Sequence, residues 1–271
     1  MINPRKFISK ITSFEITKRQ KLVFMSFALT FLLIVTQVVD ESMRFQTVGF
    51  LTLATIGLSI FALWGELSGI KYLLLLLLPV YFVAGASLFY FLLPVRWLTR
   101  LPFAVLFGIS VYLLMLTSNI YNVAAIRTIA LLRAAHAVGL LFSLLSVFFL
   151  ANVLFSLHLP FYLIVAGTLV ITFPLYLVGL WSYELEEFVS QRDLVYSSVF
   201  ALISGQIALV LSFWPIAPIN GALALATVMY VLLGLGQLEF GEKLKGRVVM
   251  EHLAVALVVF IAILATTRWG G

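Results

Sequence analysis

The sequence predicts an all-α fold, a polytopic transmembrane helical bundle of nine spans, with eight as the alternative count and the N-terminus cytosolic. Three observations predict it. Of 271 residues, 63% are hydrophobic and 10% charged, with a mean hydropathy of +1.16, whereas soluble domains average about 25% charged. Nine stretches approach the roughly 20 apolar residues that a helix needs to cross a hydrocarbon core about 30 Å thick. With nine spans, thirteen of the 17 Lys and Arg fall on the side of the N-terminus, and only Arg44, Arg96, Arg100 and Arg268 on the other. That bias keeps cationic loops in the cytosol. So much apolar surface cannot be hidden in one soluble core of this length, which excludes a disordered chain, a nucleic-acid-binding domain and a water-soluble enzyme.

Residues 1–21 form a basic cytosolic segment in which Phe7, Ile8, Ile11, Phe14 and Ile16 recur near helical spacing among Lys and Ser. The pattern fits an amphipathic helix on anionic lipid or an irregular basic tail. The first apolar run, 22–39, follows a segment of more than 20 residues and has no Ala-x-Ala-like site after it, so it reads as a retained anchor. Residues 22–268 then form a single bundle, with further runs at 45–64, 70–93, 101–117, 134–157, 160–181, 194–214, 219–238 and 248–267. The linkers are too short for a separate globular domain. Arg96 and Arg100 dissent from the charge rule, and an extra or missing span near 118–133 would move the C-terminus to the other side. Trp64-Gly65-Glu66, Trp181-Ser182-Tyr183-Glu184 and Gly236-Gln237-Leu238-Glu239 each close a span with an aromatic residue or Gly and then a Glu. They read as a relic of duplication or as the ordinary order of residues leaving a bilayer.

Cysteine is absent, which removes disulfides and thiolate sites. No span centre contains Asp, Glu, Lys or Arg, whereas ion-coupled carriers place a charge or an unwound helix near the midplane. A carrier would have to use Gln206, Asn152, hydroxyls, or backbone freed at Pro79 and Pro174, the two kinks that could shape a cavity. The densest polar constellation runs from Thr117 to Arg127 and on to Arg133 and His136. If 119–136 is one helix, Asn119, Asn122, Arg133 and His136 share a stripe while Arg127 points elsewhere. Amide, guanidinium and imidazole converging at the cytosolic edge suit a phosphate or lipid headgroup. In the plainer reading Arg127 and Arg133 are topological anchors and the Asn residues cap a helix break.

Glu184, Glu186, Glu187 and Asp193, and Glu239, Glu242, Glu251 with His252, face the same side. Their spacing matches no metal motif, so salt bridging is the simpler reading and no cofactor is expected. Ser204 with His252 would make a serine-protease dyad, but Ser204 lies about 15 Å into its span and His252 about one turn from the end. His136 and His158 sit at opposite ends of one run and cannot share a metal.

The run Tyr121-Asn122-Val123-Ala124-Ala125-Ile126-Arg127, continuing through Leu132-Arg133-Ala134-Ala135-His136-Ala137-Val138-Gly139, resembles an uncharacterised family of polytopic membrane proteins of candidate-phyla bacteria. The resemblance implies a helical bundle in a bacterial inner membrane and carries no activity or cofactor. The expected function is that of an integral membrane protein that binds a lipid or amphiphile through a cytosolic-side polar pocket, with membrane lipids as partners and no nucleic acid. A small-solute transporter and a lipid-modifying membrane enzyme are the alternatives, and catalysis is the less favoured reading.

Overall fold

Residues 17–39, 41–63, 71–124, 130–186 and 188–267 are described in the computed structural model of the chain. Among them are nine α-helices and no strand: α1 Lys18–Val35, α2 Arg44–Ala62, α3 Lys71–Leu92, α4 Trp97–Ala124, α5 Leu132–Ser156, α6 Phe161–Glu184, α7 Gln191–Ser212, α8 Pro218–Phe240 and α9 Gly246–Thr266. The basic segment before Thr17 lies outside the described residues. Eight helices, α2 to α9, are long and apolar enough to cross a membrane. The remaining one, α1, has 18 residues that include Lys18, Arg19 and Lys21, so its apolar part is shorter than a full span. Its inward face, Met25, Leu29 and Leu33, is nevertheless fully buried, against α2 and α4. The chain is a polytopic integral membrane protein.

Local signals explain where several helices start. Thr17 accepts the Gln20 backbone N–H while the Gln20 side chain accepts the Thr17 N–H, a reciprocal cap that opens α1. Ser190 and Asp193 do the same for α7. Pro218 opens α8, where its missing N–H has no intrahelical partner to lose.

Successive helices run in opposite directions. Tyr90 late in α3 meets Phe103 early in α4, and Tyr196 early in α7 meets Phe240 at the end of α8. The bundle therefore has two ends. A basic end gathers Lys18, Arg19, Lys21, Arg133, Arg192, Lys243, Lys245 and Arg247, and the opposite end holds Arg44, Arg96 and Arg100. The centre is α3, which packs on α2, α4, α5 and α6. Over half of its span is buried, against 6% for α9, which leans chiefly on α8 at the edge. Phe82 of α3 packs on Phe107 of α4 at 6.1 Å and edge-on to Phe142 of α5 at 5.1 Å, which joins three helices in one aromatic layer.

Both mid-helix prolines are sealed into this packing rather than opened toward a cavity. Proline has no N–H for the carbonyl four residues earlier, so Pro79 frees Leu75 O and Pro174 frees Val170 O. Ser118 of α4 donates its hydroxyl to Leu75 O at 3.2 Å, and Tyr81 of α3 donates to Val170 O at 3.0 Å. Each orphaned carbonyl is thus met by a hydroxyl from a neighbouring helix, and both helices continue through the proline.

This pairing is testable by a double-mutant cycle. Tyr81→Phe is expected to lower stability in detergent by about 0.6–2 kcal/mol, the range for one interhelical hydrogen bond in a membrane protein. In a Pro174→Ala background, where residue 174 again donates to Val170 O, the same substitution should cost much less. Equal costs in both backgrounds would show that the hydroxyl does not serve the freed carbonyl.

Candidate functional site

The expected polar stripe needs one helix over 119–136, and the structure corrects that premise. Helix α4 ends at Ala124 and α5 begins at Leu132, so Asn119 and Asn122 sit on one helix and Arg133 and His136 on the next. Asn119 is half-buried, Asn122 is buried, Arg133 is exposed and His136 is half-buried. Arg127 lies outside the described residues. The four positions do not form a single row; the fold brings His136 against different side chains.

His136 stands one turn into α5, between two tyrosines. Its ring lies 5.8 Å from that of Tyr121 on α4 and stacks on Tyr183 of α6 at 4.7 Å with 17° between the planes. Its Nε2 is 2.8 Å from Ser182 O. A carbonyl can only accept, so Nε2 carries a proton and donates it to Ser182 O. Ser182 O belongs to the last turn of α6, where carbonyls have no partner further along the helix. The imidazole therefore caps α6 from a neighbouring helix. Trp181 assists by donating Nε1–H to Glu186 O at 3.0 Å, and Leu185 leaves the helix in the left-handed conformation at φ 55°.

Tyr121 donates its hydroxyl to Ala135 O at 2.8 Å, which ties the end of α4 to the start of α5. That hydroxyl occupies the space that a Cβ on Gly139 would fill, so glycine there permits the contact. From α8, Gln237 Nε2 donates to Gly179 O at 2.9 Å, a carbonyl that also accepts the Ser182 hydroxyl. Beyond α8, Lys243 reaches Tyr183, with Nζ 3.5 Å from the hydroxyl and 5.9 Å from the ring centre. Tyr121, His136, Tyr183 and Lys243 thus form a stack that runs from the interior to the surface of the basic end. The exposed Arg133 starts the same turn of α5 that carries His136 and makes no ion pair among the described residues.

Sequence reading singled out neither Gln237 nor Tyr183 as a site residue. Both belong to the span-closing segments Trp181-Ser182-Tyr183-Glu184 and Gly236-Gln237-Leu238-Glu239, and their inward role depends on which face each helix turns to its neighbour. Other candidates are committed elsewhere. Ser204 bonds Tyr176 Oη at 2.8 Å and Phe200 O at 2.9 Å, while His252 Nδ1 lies 2.9 Å from Val248 O and its ring stacks on Tyr230, so no nucleophile–base pair forms. Glu184 pairs with Arg192 at 3.7 Å and Glu251 with Arg247 at 3.1 Å, as salt bridging predicts. Among the described residues no group of His, Asp and Glu could hold a metal ion.

No family model, curated protein or solved structure matches the chain. The class defined by the fold and the site is a polytopic integral membrane protein with an aromatic and cationic cluster at one end, and its function has to be argued from that cluster.

Two substitutions test the arrangement. His136→Phe keeps a ring between the tyrosines but removes the donor to Ser182 O, and is expected to cost about 1–3 kcal/mol, the penalty of a buried unsatisfied carbonyl. Gly139→Ala should displace the Tyr121 hydroxyl from Ala135 O and lower the midpoint of thermal unfolding, whereas in a Tyr121→Phe background the same change should be milder.

Proposed function

We propose that this protein binds an anionic amphiphile at its basic end, with the headgroup held by Lys243 and Arg133 beside the His136–Tyr183 stack. The observation that carries the reading is that two cations flank an aromatic platform while no carboxylate neutralises them among the described residues. Cations at headgroup depth attract acidic lipids, and charge-assisted hydrogen bonds from ammonium and guanidinium are the strong ones for phosphate. His136 serves this site as a brace, because its Nε2–H is already given to Ser182 O.

Support for an apolar tail comes from the same end. A groove of about 460 Å³ between α1 and α4, walled by Val23, Phe27, Val105, Ile109 and Tyr112, opens beside Arg19. Such a slot with a guanidinium at its mouth matches a lipid chain below an acidic head. By the bias of Lys and Arg this end is cytosolic, and the family resemblance of residues 121–139 suggests a bacterial inner membrane. Against the carrier reading stand the two sealed prolines, whose freed carbonyls already have donors.

Native mass spectrometry of gently purified protein tests this. A discrete anionic lipid is expected on the wild type, with its occupancy at equal lipid concentration reduced about tenfold or more in Arg133→Ala/Lys243→Ala, since one charge-assisted bond is worth about 1.5–3 kcal/mol. Equal retention by both forms would reduce these cations to topological anchors. Chemical conversion of the retained lipid by purified protein would instead place the chain among lipid-modifying enzymes.

A further inference from the structure

The opposite end of the bundle contains a buried arginine without a counter-charge. Arg100, in the first turn of α4, is only 8% exposed. Its one hydrogen bond runs from Nη2 to Leu93 O, just past the end of α3, at 3.5 Å, the outer limit for such a bond. Nε is buried with no partner. The guanidinium lies over the ring of Tyr90, 5.4 Å from its centre, and the Tyr90 hydroxyl is itself met by the Gln37 amide from the turn after α1. No carboxylate among the described residues forms an ion pair with it.

A guanidinium has five donors in a fixed fork that fits the paired oxygens of an oxyanion, and burial without a partner is the most costly state that a charge can take. The surrounding elements satisfy themselves: Tyr90 with Gln37, and the turn before α4 through Thr99, whose hydroxyl lies within reach of Pro94 O and Arg96 O. What remains is a fork whose buried Nε has no partner and whose Nη2 holds only a long bond. Depth indicates the kind of anion. Val95, Trp97 and Leu98, on the same turn, are 80%, 78% and 88% exposed, and an exposed Trp beside aliphatic residues at the start of a span marks the bilayer interface, where lipid phosphates lie.

We propose that Arg100 is the anchor of a phosphate-binding site at the end of the bundle opposite the basic cluster, in which a phosphate oxygen pair displaces the long bond to Leu93 O and takes Nε and Nη2 side-on. The phosphate is that of a lipid headgroup in that leaflet or a free phosphate ion. This site is independent of Lys243 and Arg133, which are on the other end.

The test uses the full chain, delipidated in a neutral, phosphate-free detergent, and follows the midpoint of thermal unfolding as short-chain phosphatidylglycerol or inorganic phosphate is added. The midpoint of the wild type should rise with at least one probe. Arg96→Met, which removes an exposed charge from the same turn, should respond like the wild type, whereas Arg100→Met and Arg100→Lys are compared in the Arg133→Ala/Lys243→Ala background, where the basic end no longer takes the probe, and there Arg100→Met should not respond. Arg100→Lys keeps the charge but loses the fork, so about tenfold more probe should be needed for the same rise; it also serves as the comparison if Arg100→Met does not fold. A response to phosphatidylglycerol alone identifies a headgroup, and a response to both identifies the phosphate group itself. No rise in the wild type, or an equal rise in Arg100→Met or Arg100→Lys, overturns the proposal. The Arg133→Ala/Lys243→Ala protein itself should still respond through Arg100, so failure at one end is distinguishable from failure at the other.

Discussion

Inside a hydrocarbon slab a backbone carbonyl without a donor costs several kcal/mol, and water is not there to supply one. Much of this structure follows from that single constraint. It makes every long described segment a helix, and it governs what happens wherever the helical ladder is broken. At Pro79 and Pro174 the missing N–H is replaced by the hydroxyls of Ser118 and Tyr81 from adjacent helices. In the last turn of α6 the carbonyl of Ser182 accepts the Nε2–H of His136. The same demand disposes of many of the serines and threonines within the spans: Thr55, Ser143, Ser146, Thr168 and Thr172 all donate to the carbonyl four residues earlier, while the buried hydroxyls of Ser87 and Ser197 have no partner among the described residues. The donating hydroxyls are therefore satisfied within their own helices.

Because most of these hydroxyls are satisfied in this way, helices approach mainly through apolar and aromatic contact, with a few hydrogen bonds between them. Central α3 is buried by its neighbours on several sides, while α9 packs chiefly on α8 and turns most of its surface outward. A second consequence concerns the ends. Near the surface the demand relaxes, and side chains there keep unused donors. At the basic end these are Arg133 and Lys243 beside the stacked rings of His136 and Tyr183, and at the other end the buried fork of Arg100. The two ends thus differ in chemistry: exposed cations on an aromatic platform at one, a single enclosed guanidinium at the other.

The dissenting charges of the sequence acquire a physical sense in this arrangement. Arg96 and Arg100 are an exception to the bias that places cations at the N-terminal side, and the two residues behave differently. Arg96 is exposed on the turn before α4, whereas Arg100 is enclosed against Tyr90. A buried charge in a position that topology disfavours is retained at a cost, which is why it reads as functional rather than incidental.

Composition and the spacing of apolar runs determined the class of this protein, the approximate place of each helix and the uneven charge of its two sides, because a bilayer imposes length and apolarity on each span separately. Capping residues such as Thr17 and Ser190 were equally local. The partners of the polar residues were not. Whether 119–136 was one helix or two depended on a break after Ala124, and the stack of Tyr121, His136 and Tyr183 depended on three helices meeting at one height. The hydroxyls that serve the prolines come from positions 43 and 89 residues away in the chain. Contacts between helices are set by rotation and depth within the bundle, and in spans that are apolar all round the sequence period leaves that rotation unspecified; only tertiary packing decided it.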